Sequence, residues 1–131
     1  MRATIIRRST LLALIATVIA LVSGLQPASA QQPEGVTEES IAAGAKLYSE
    51  SGCQACHGAG GIGMAGMTKD LTQGEYAFVE GGTFDALVAV IKDGVPADKT
   101  GGMPMPAGAN LTDEQARALA AYLWSLKSHG T

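Results

Sequence analysis

The chain has 131 residues, 47% of them hydrophobic, and carries 12 acidic against 9 basic side chains. That length leaves room for one domain, or one domain with a targeting segment, and excludes a multidomain enzyme. The average conceals a division, because 18 of the first 30 residues are apolar.

Residues 1–30 place Arg2, Arg7 and Arg8 ahead of or beside an apolar run over residues 11–25, followed by Ala28-Ser29-Ala30. This order of charged, apolar and small-residue regions is that of a secretory signal peptide, with cleavage expected after Ala30. The run contains Ser23 and Gly24 and falls short of the roughly 20 residues of a spanning helix. The expected product is therefore residues 31–131, exported to the periplasm and not embedded in the membrane. An uncleaved anchor is the alternative.

The remaining 101 residues hold all twelve acidic side chains but only six basic ones, a formal charge of −6. A nucleic-acid partner is disfavoured. Only 17 of these residues are Leu, Ile, Val or Phe, below the roughly 20% at which a charged chain begins to look disordered. A domain so composed needs disulfides, a metal or a large apolar cofactor at its centre.

In chain order, Thr37 caps a predicted helix running to about Ser51, with Ile41, Ala45 and Tyr48 on one face. It leads directly into Cys53-Gln54-Ala55-Cys56-His57, which contains both cysteines of the protein. In an exported chain this is the attachment signature of a c-type haem. Two thiols three positions apart on a helical turn can each form a thioether with a haem vinyl group, and His57 follows as proximal iron ligand. Three rivals use the same residues. A thioredoxin-like pair requires a preceding strand that is not evident. A zinc site from Cys53, Cys56, His57 and His129 would need adjacent residues to ligate one tetrahedral metal. A plain disulfide leaves His57 without a purpose.

Gly58-Ala59-Gly60-Gly61-Ile62-Gly63 matches a dinucleotide-binding pattern literally, but it follows no strand. These glycines read instead as a tight loop passing close to a porphyrin edge. Thr83 caps a second predicted helix with the apolar stripe Phe84, Leu87, Val88 and Ile91, stopped by Gly94. Then comes an aperiodic stretch ending in Gly101-Gly102-Met103-Pro104-Met105-Pro106. A thioether is a soft neutral ligand for haem iron, and proline keeps the loop out of helix, so a distal ligand is expected here. Thr112 and Gln115 make a capping box for the last predicted helix, with Leu119, Ala120, Leu123 and Leu126 inward and an end near Lys127. No alternating strand pattern intervenes. The fold class is all-α, with a core over about residues 37–128.

Taken together, these residues resemble a small monohaem class I c-type cytochrome over about residues 41–126. The family has a Gly and an aromatic four apart in its first helix, matched by Gly44 and Tyr48. It has a Leu and an aromatic three apart in its last helix, matched by Leu119 and Tyr122. The resemblance implies that these helices cross and pack through those residues. Many relatives carry a proline whose carbonyl accepts the proximal histidine's Nδ1 proton, but Gly66-Met67-Thr68-Lys69-Asp70-Leu71 has none. The family spacing from ligand methionine to the Leu leading the last helix falls between Met103 and Met105. Met103 is preferred because Gly102-Met103-Pro104 with Gly108-Ala109-Asn110-Leu111 better matches the family, and Met105 is the runner-up.

The implied function is that of a periplasmic one-electron carrier with a single covalent haem c and no catalytic acid, base or nucleophile. A haem enzyme or a sensor of small ligands such as peroxide or nitric oxide, with a labile distal methionine, is one alternative. A dedicated cytochrome subunit of a periplasmic oxidoreductase complex is another. The partners expected are redox proteins, with a basic docking patch facing the acidic surface.

Overall fold

A computed structural model describes residues 32–127. The expected signal peptide and His129 lie outside them. Contacts gather residues 33–127 into one compact unit. It is all-α, as expected: α1 (Glu38–Glu50), α2 (Cys53–His57), α3 (Phe84–Asp93), α4 (Ala97–Thr100) and α5 (Asp113–Leu126), with three single 3-10 turns among the loops. Among the described residues there is no strand, only two isolated antiparallel bridges, Met64 with Thr68 and Val95 with Met105.

The caps explain the helix starts. Thr37 accepts from Ser40 N–H and Ser40 reaches back to the Thr37 N–H, a capping box with serine in place of the usual Glu or Gln. Thr83 accepts from Ala86 N–H. Thr112 and Gln115 close the box expected of them. Gly94 ends α3, and Lys127 caps α5. The four-residue α4 was not legible from periodicity, for it has barely one turn, framed by Pro96 and by Gly101 in the left-handed region.

The largest packing surface is between α1 and α5, and α3 packs on α5 as well. Gly44 is the point of closest approach: a Cβ there would lie 1.9 Å from Ala118 O and 2.8 Å from Tyr122 Cβ. On α5 the face turned inward is mostly alanine, with Ala116, Ala120 and Ala121 fully buried beside Leu119. Small residues on both helices let the backbones meet, so the core gains density where it lacks large side chains. One turn further, Tyr48 and Tyr122 have ring centroids 5.3 Å apart. Gly44, Tyr48 and Tyr122 of the two expected pairs thus lie where α1 meets α5.

Elsewhere Phe84 meets Trp124 edge-on at 5.8 Å. The Tyr76 hydroxyl donates to Leu123 O at 2.7 Å. Arg117 pairs with Asp85 at 3.0 Å, stacks over Phe84 at 5.1 Å and donates to Glu34 O at 3.2 Å. A single side chain thereby ties the chain entering α1, the start of α3 and the first half of α5.

Candidate haem site

Helix α2 is the short turn between α1 and the glycine loop, begun by Gly52 and ended by Gly58, both at positive φ. Cys53 and Cys56 lie on it as free, half-buried thiols, and His57 closes it. Burial pushes the Cys53 thiol above its ordinary pKa and holds the His57 imidazole below its own. His57 is therefore neutral near pH 7, the form in which a ring nitrogen can ligate a metal. Its Nδ1 is buried without a hydrogen-bond partner.

The loop after His57 folds back on the helix. His57 O accepts Gly63 N–H at 2.8 Å, and the Thr68 hydroxyl donates to Cys56 O at 2.6 Å. Gly63 has φ +79°, and a Cβ there would meet Thr68 O at 2.7 Å. Only glycine allows this turn at this distance. The dinucleotide-like glycines therefore serve to bring the loop close to the cysteine helix.

Among the described residues, five large hydrophobic side chains are exposed: Ile62, Met64, Met67, Phe78 and Met103. All five stand in connecting segments between α2 and α5, and none is on a helix. Ile62 at 65% and Met103 at 59% are the most open. These loop side chains are apolar surface that a bound ligand could cover. Two free thiols on one turn, a neutral histidine at its end and apolar loops beyond them suit a covalently held porphyrin. Among the described residues, no three His, Cys, Asp or Glu side chains gather to hold a metal ion.

The two methionines of the 103–106 loop are held differently. Met105 exchanges two 2.9 Å backbone hydrogen bonds with Val95 and is half-buried. Met103 is exposed, and the Thr100 hydroxyl donates to its carbonyl at 2.7 Å. Sequence reasoning missed the Val95–Met105 bridge, Thr68 as a partner of the cysteine helix, and the Tyr48 hydroxyl, which donates to Gly58 O at 2.9 Å. Trp124 and Tyr76 engage in the packing described above.

Fold and motif together define a c-type cytochrome domain. The cytochrome c family model matches residues 41–127, and the chain belongs to that family. Haem-based electron transfer is the chemistry of the domain, with haem c as the implied cofactor. The chain is 34% identical to cytochrome c oxidase subunit 2 of Alkalihalophilus pseudofirmus, over 72% of this chain and 28% of that one. It is also similar to a chain of the Kuenenia stuttgartiensis reducing HAO-like protein complex, with a TM-score of 0.55 and 28% identity, over 72% of this chain and 47% of that one. The chain thus spans less than half the length of either protein. Among the described residues no helix is long and apolar enough to cross a membrane.

Proposed function

We propose that the protein is an exported one-electron carrier, residues 1–30 being its cleaved signal peptide and residues 31–131 its periplasmic cytochrome domain. Cys53 and Cys56 would hold one haem c by thioether bonds, and His57 would be its proximal ligand. The observation that carries this reading is the single turn that presents both free thiols and ends on a half-buried, neutral histidine. Bound haem c supplies a couple between Fe(II) and Fe(III). The chain's own residues orient the imidazole, keep water from it and surround the group with apolar loops.

The distal ligand comes from the 103–106 loop. Resemblance to the family favoured Met103 over Met105, and its exposed side chain is free to meet a cofactor. A second reading, Met105, has the backbone in its favour, since two hydrogen bonds to Val95 hold it in place and a pre-positioned ligand costs less ordering entropy. A methionine from this loop together with His57 would leave a haem iron no position for a substrate, the arrangement of a carrier rather than of an enzyme or gas sensor.

Both similar proteins named above belong to redox assemblies, which supports the reading of this chain as a cytochrome subunit of such a complex. In either role the −6 charge after residue 30 favours a partner with a basic docking patch and an association rate that falls with salt. An association rate indifferent to ionic strength would remove that electrostatic component.

The absorption spectrum of the purified protein in both oxidation states tests the central reading. A low-spin spectrum with the weak near-infrared band of sulfur-to-iron bonding in the ferric form is expected. A high-spin spectrum without that band overturns the carrier reading in favour of an open site. Sequencing of the mature amino terminus should begin at Gln31.

A further inference from the structure

The loop that carries the two candidate ligand methionines has a fixed base and a separate lobe. At the base, the buried Val95 exchanges its two backbone hydrogen bonds with Met105. Gly108 N–H donates to Ile91 O at 3.0 Å, and Lys92 pairs with Asp113, so the base is fastened to α3 and α5 as well. Above it, residues 96–104 bond only among themselves. Lys99 and Thr100 N–H donate to Pro96 O, and Gly101 and Gly102 N–H donate to Ala97 O. All of these bonds end before Met103. Among the described residues, Met103 has a single hydrogen-bond partner, the Thr100 hydroxyl, which donates to Met103 O at 2.7 Å.

The same hydroxyl lies 3.2 Å from Ala97 O. It has one proton to give, and the 2.7 Å partner is the one at the ordinary length of an O–H···O bond. Between Thr100 and Met103 stand Gly101 and Gly102, the residues with the most backbone freedom to lose on ordering. One half-buried hydroxyl therefore bridges the most pliant part of the lobe. We propose that Thr100 is a positioning residue for the distal ligand: its bond to Met103 O holds the lobe in the form that offers the Met103 thioether to the cofactor, and so keeps foreign ligands from that position. The proposal rests on the reading of Met103 as the distal ligand. Thr100 acts on the backbone of Met103 and not through its sulfur. Opening the lobe breaks none of the bonds at its base, so Met103 can leave while α3, α5 and Met105 stay in place.

The test uses the full haem-loaded chain in the ferric state, as wild type, Thr100→Val, Thr100→Ser and Met103→Ala. Valine keeps the shape and removes the donor, whereas serine keeps the donor. Imidazole is the probe, titrated by absorption, because it competes with a thioether for the distal position. Its apparent affinity rises with the fraction of molecules whose Met103 has let go. Thr100→Val should bind imidazole about fivefold more tightly, the worth of one ordinary hydrogen bond. Thr100→Ser should match wild type. A merely structural role for Thr100 would lower the denaturant midpoint without moving imidazole affinity, since the globally unfolded fraction is too small to register in the titration. Unchanged affinity in Thr100→Val overturns the proposal, as does an equal gain in Thr100→Ser, which would assign the effect to methyl packing. Should Thr100→Val fail to retain haem, Thr100→Ala is judged by the same titration. Met103→Ala separates the two levels of the argument. It should bind imidazole far more tightly than any Thr100 variant; if instead it binds as wild type does, the ligand reading itself falls and the proposal with it.

Discussion

At the residue scale, positions whose neighbours are already fixed are the most constrained. A Cβ at Gly44 would sit 1.9 Å from Ala118 O, a backbone atom that cannot step aside without moving α5. Gly44→Ala should therefore destabilise the haem-loaded protein by about 3 kcal/mol, the upper end for overpacking, measured by denaturant unfolding. A loss below about 1 kcal/mol would mean that the two helices separate at little cost. The methionine pair makes a second prediction. If Met103 is the distal ligand, Met103→Ala removes the near-infrared band and Met105→Ala keeps it; the reverse pattern assigns the ligand to Met105. The cysteine pentapeptide was legible because its chemistry depends on spacing within five residues. The role of Thr68 was not, because its bond to Cys56 O spans twelve positions and exists only once the loop has closed.

At the scale of elements, helix starts were the most legible feature, since a cap and its target are three residues apart and need no tertiary partner. The box at Thr112 and Gln115 is the better formed of the two in residue type. Thr112→Ala should cost about 1 kcal/mol, read as a lower unfolding midpoint of the haem-loaded protein, and an unchanged midpoint would show that packing alone holds the start of α5. The Thr37–Ser40 box escaped notice because the usual signature has Glu or Gln at the third position. The stretch between α3 and α5 read as aperiodic, but it folds into the α4 turn and closes through the Val95–Met105 bridge. An isolated bridge has no sequence period; it forms because α3 and the turn before α5 bring the two segments together.

At the scale of the whole molecule, two phenols, one buried and one half-buried, set a limit on alkaline stability. Burial pushes both Tyr48 and Tyr76 up to about 12 from 10.0. The folded chain then keeps protons that the unfolded chain releases near pH 10. Their contribution is complete below pH 10 and is lost as pH rises through about 12. Denaturant unfolding should show a declining midpoint across that window, and a flat profile would mean that neither hydroxyl is sequestered. The shortage of aliphatic residues makes a further prediction. Replacing both cysteines by alanine should give a colourless chain with little helical circular dichroism, since exposed Ile62, Phe78 and Met103 have no cofactor to cover and ligand binding stabilises only the folded state. A compact, cooperatively melting haem-free form would contradict this.

The sequence by itself determined the all-α class, the three longer helices and their caps, and the cysteine–histidine turn, because each is written in local spacing or composition. It also marked Gly44 and Tyr48 as a pair, through resemblance to a family rather than through periodicity. Tertiary structure alone decided how closely α1 meets α5, which carbonyls of α2 are gripped and by whom, and that His57 Nδ1 is left without a partner. These depend on distances between segments remote in sequence, and such distances come into being only when the backbones have packed.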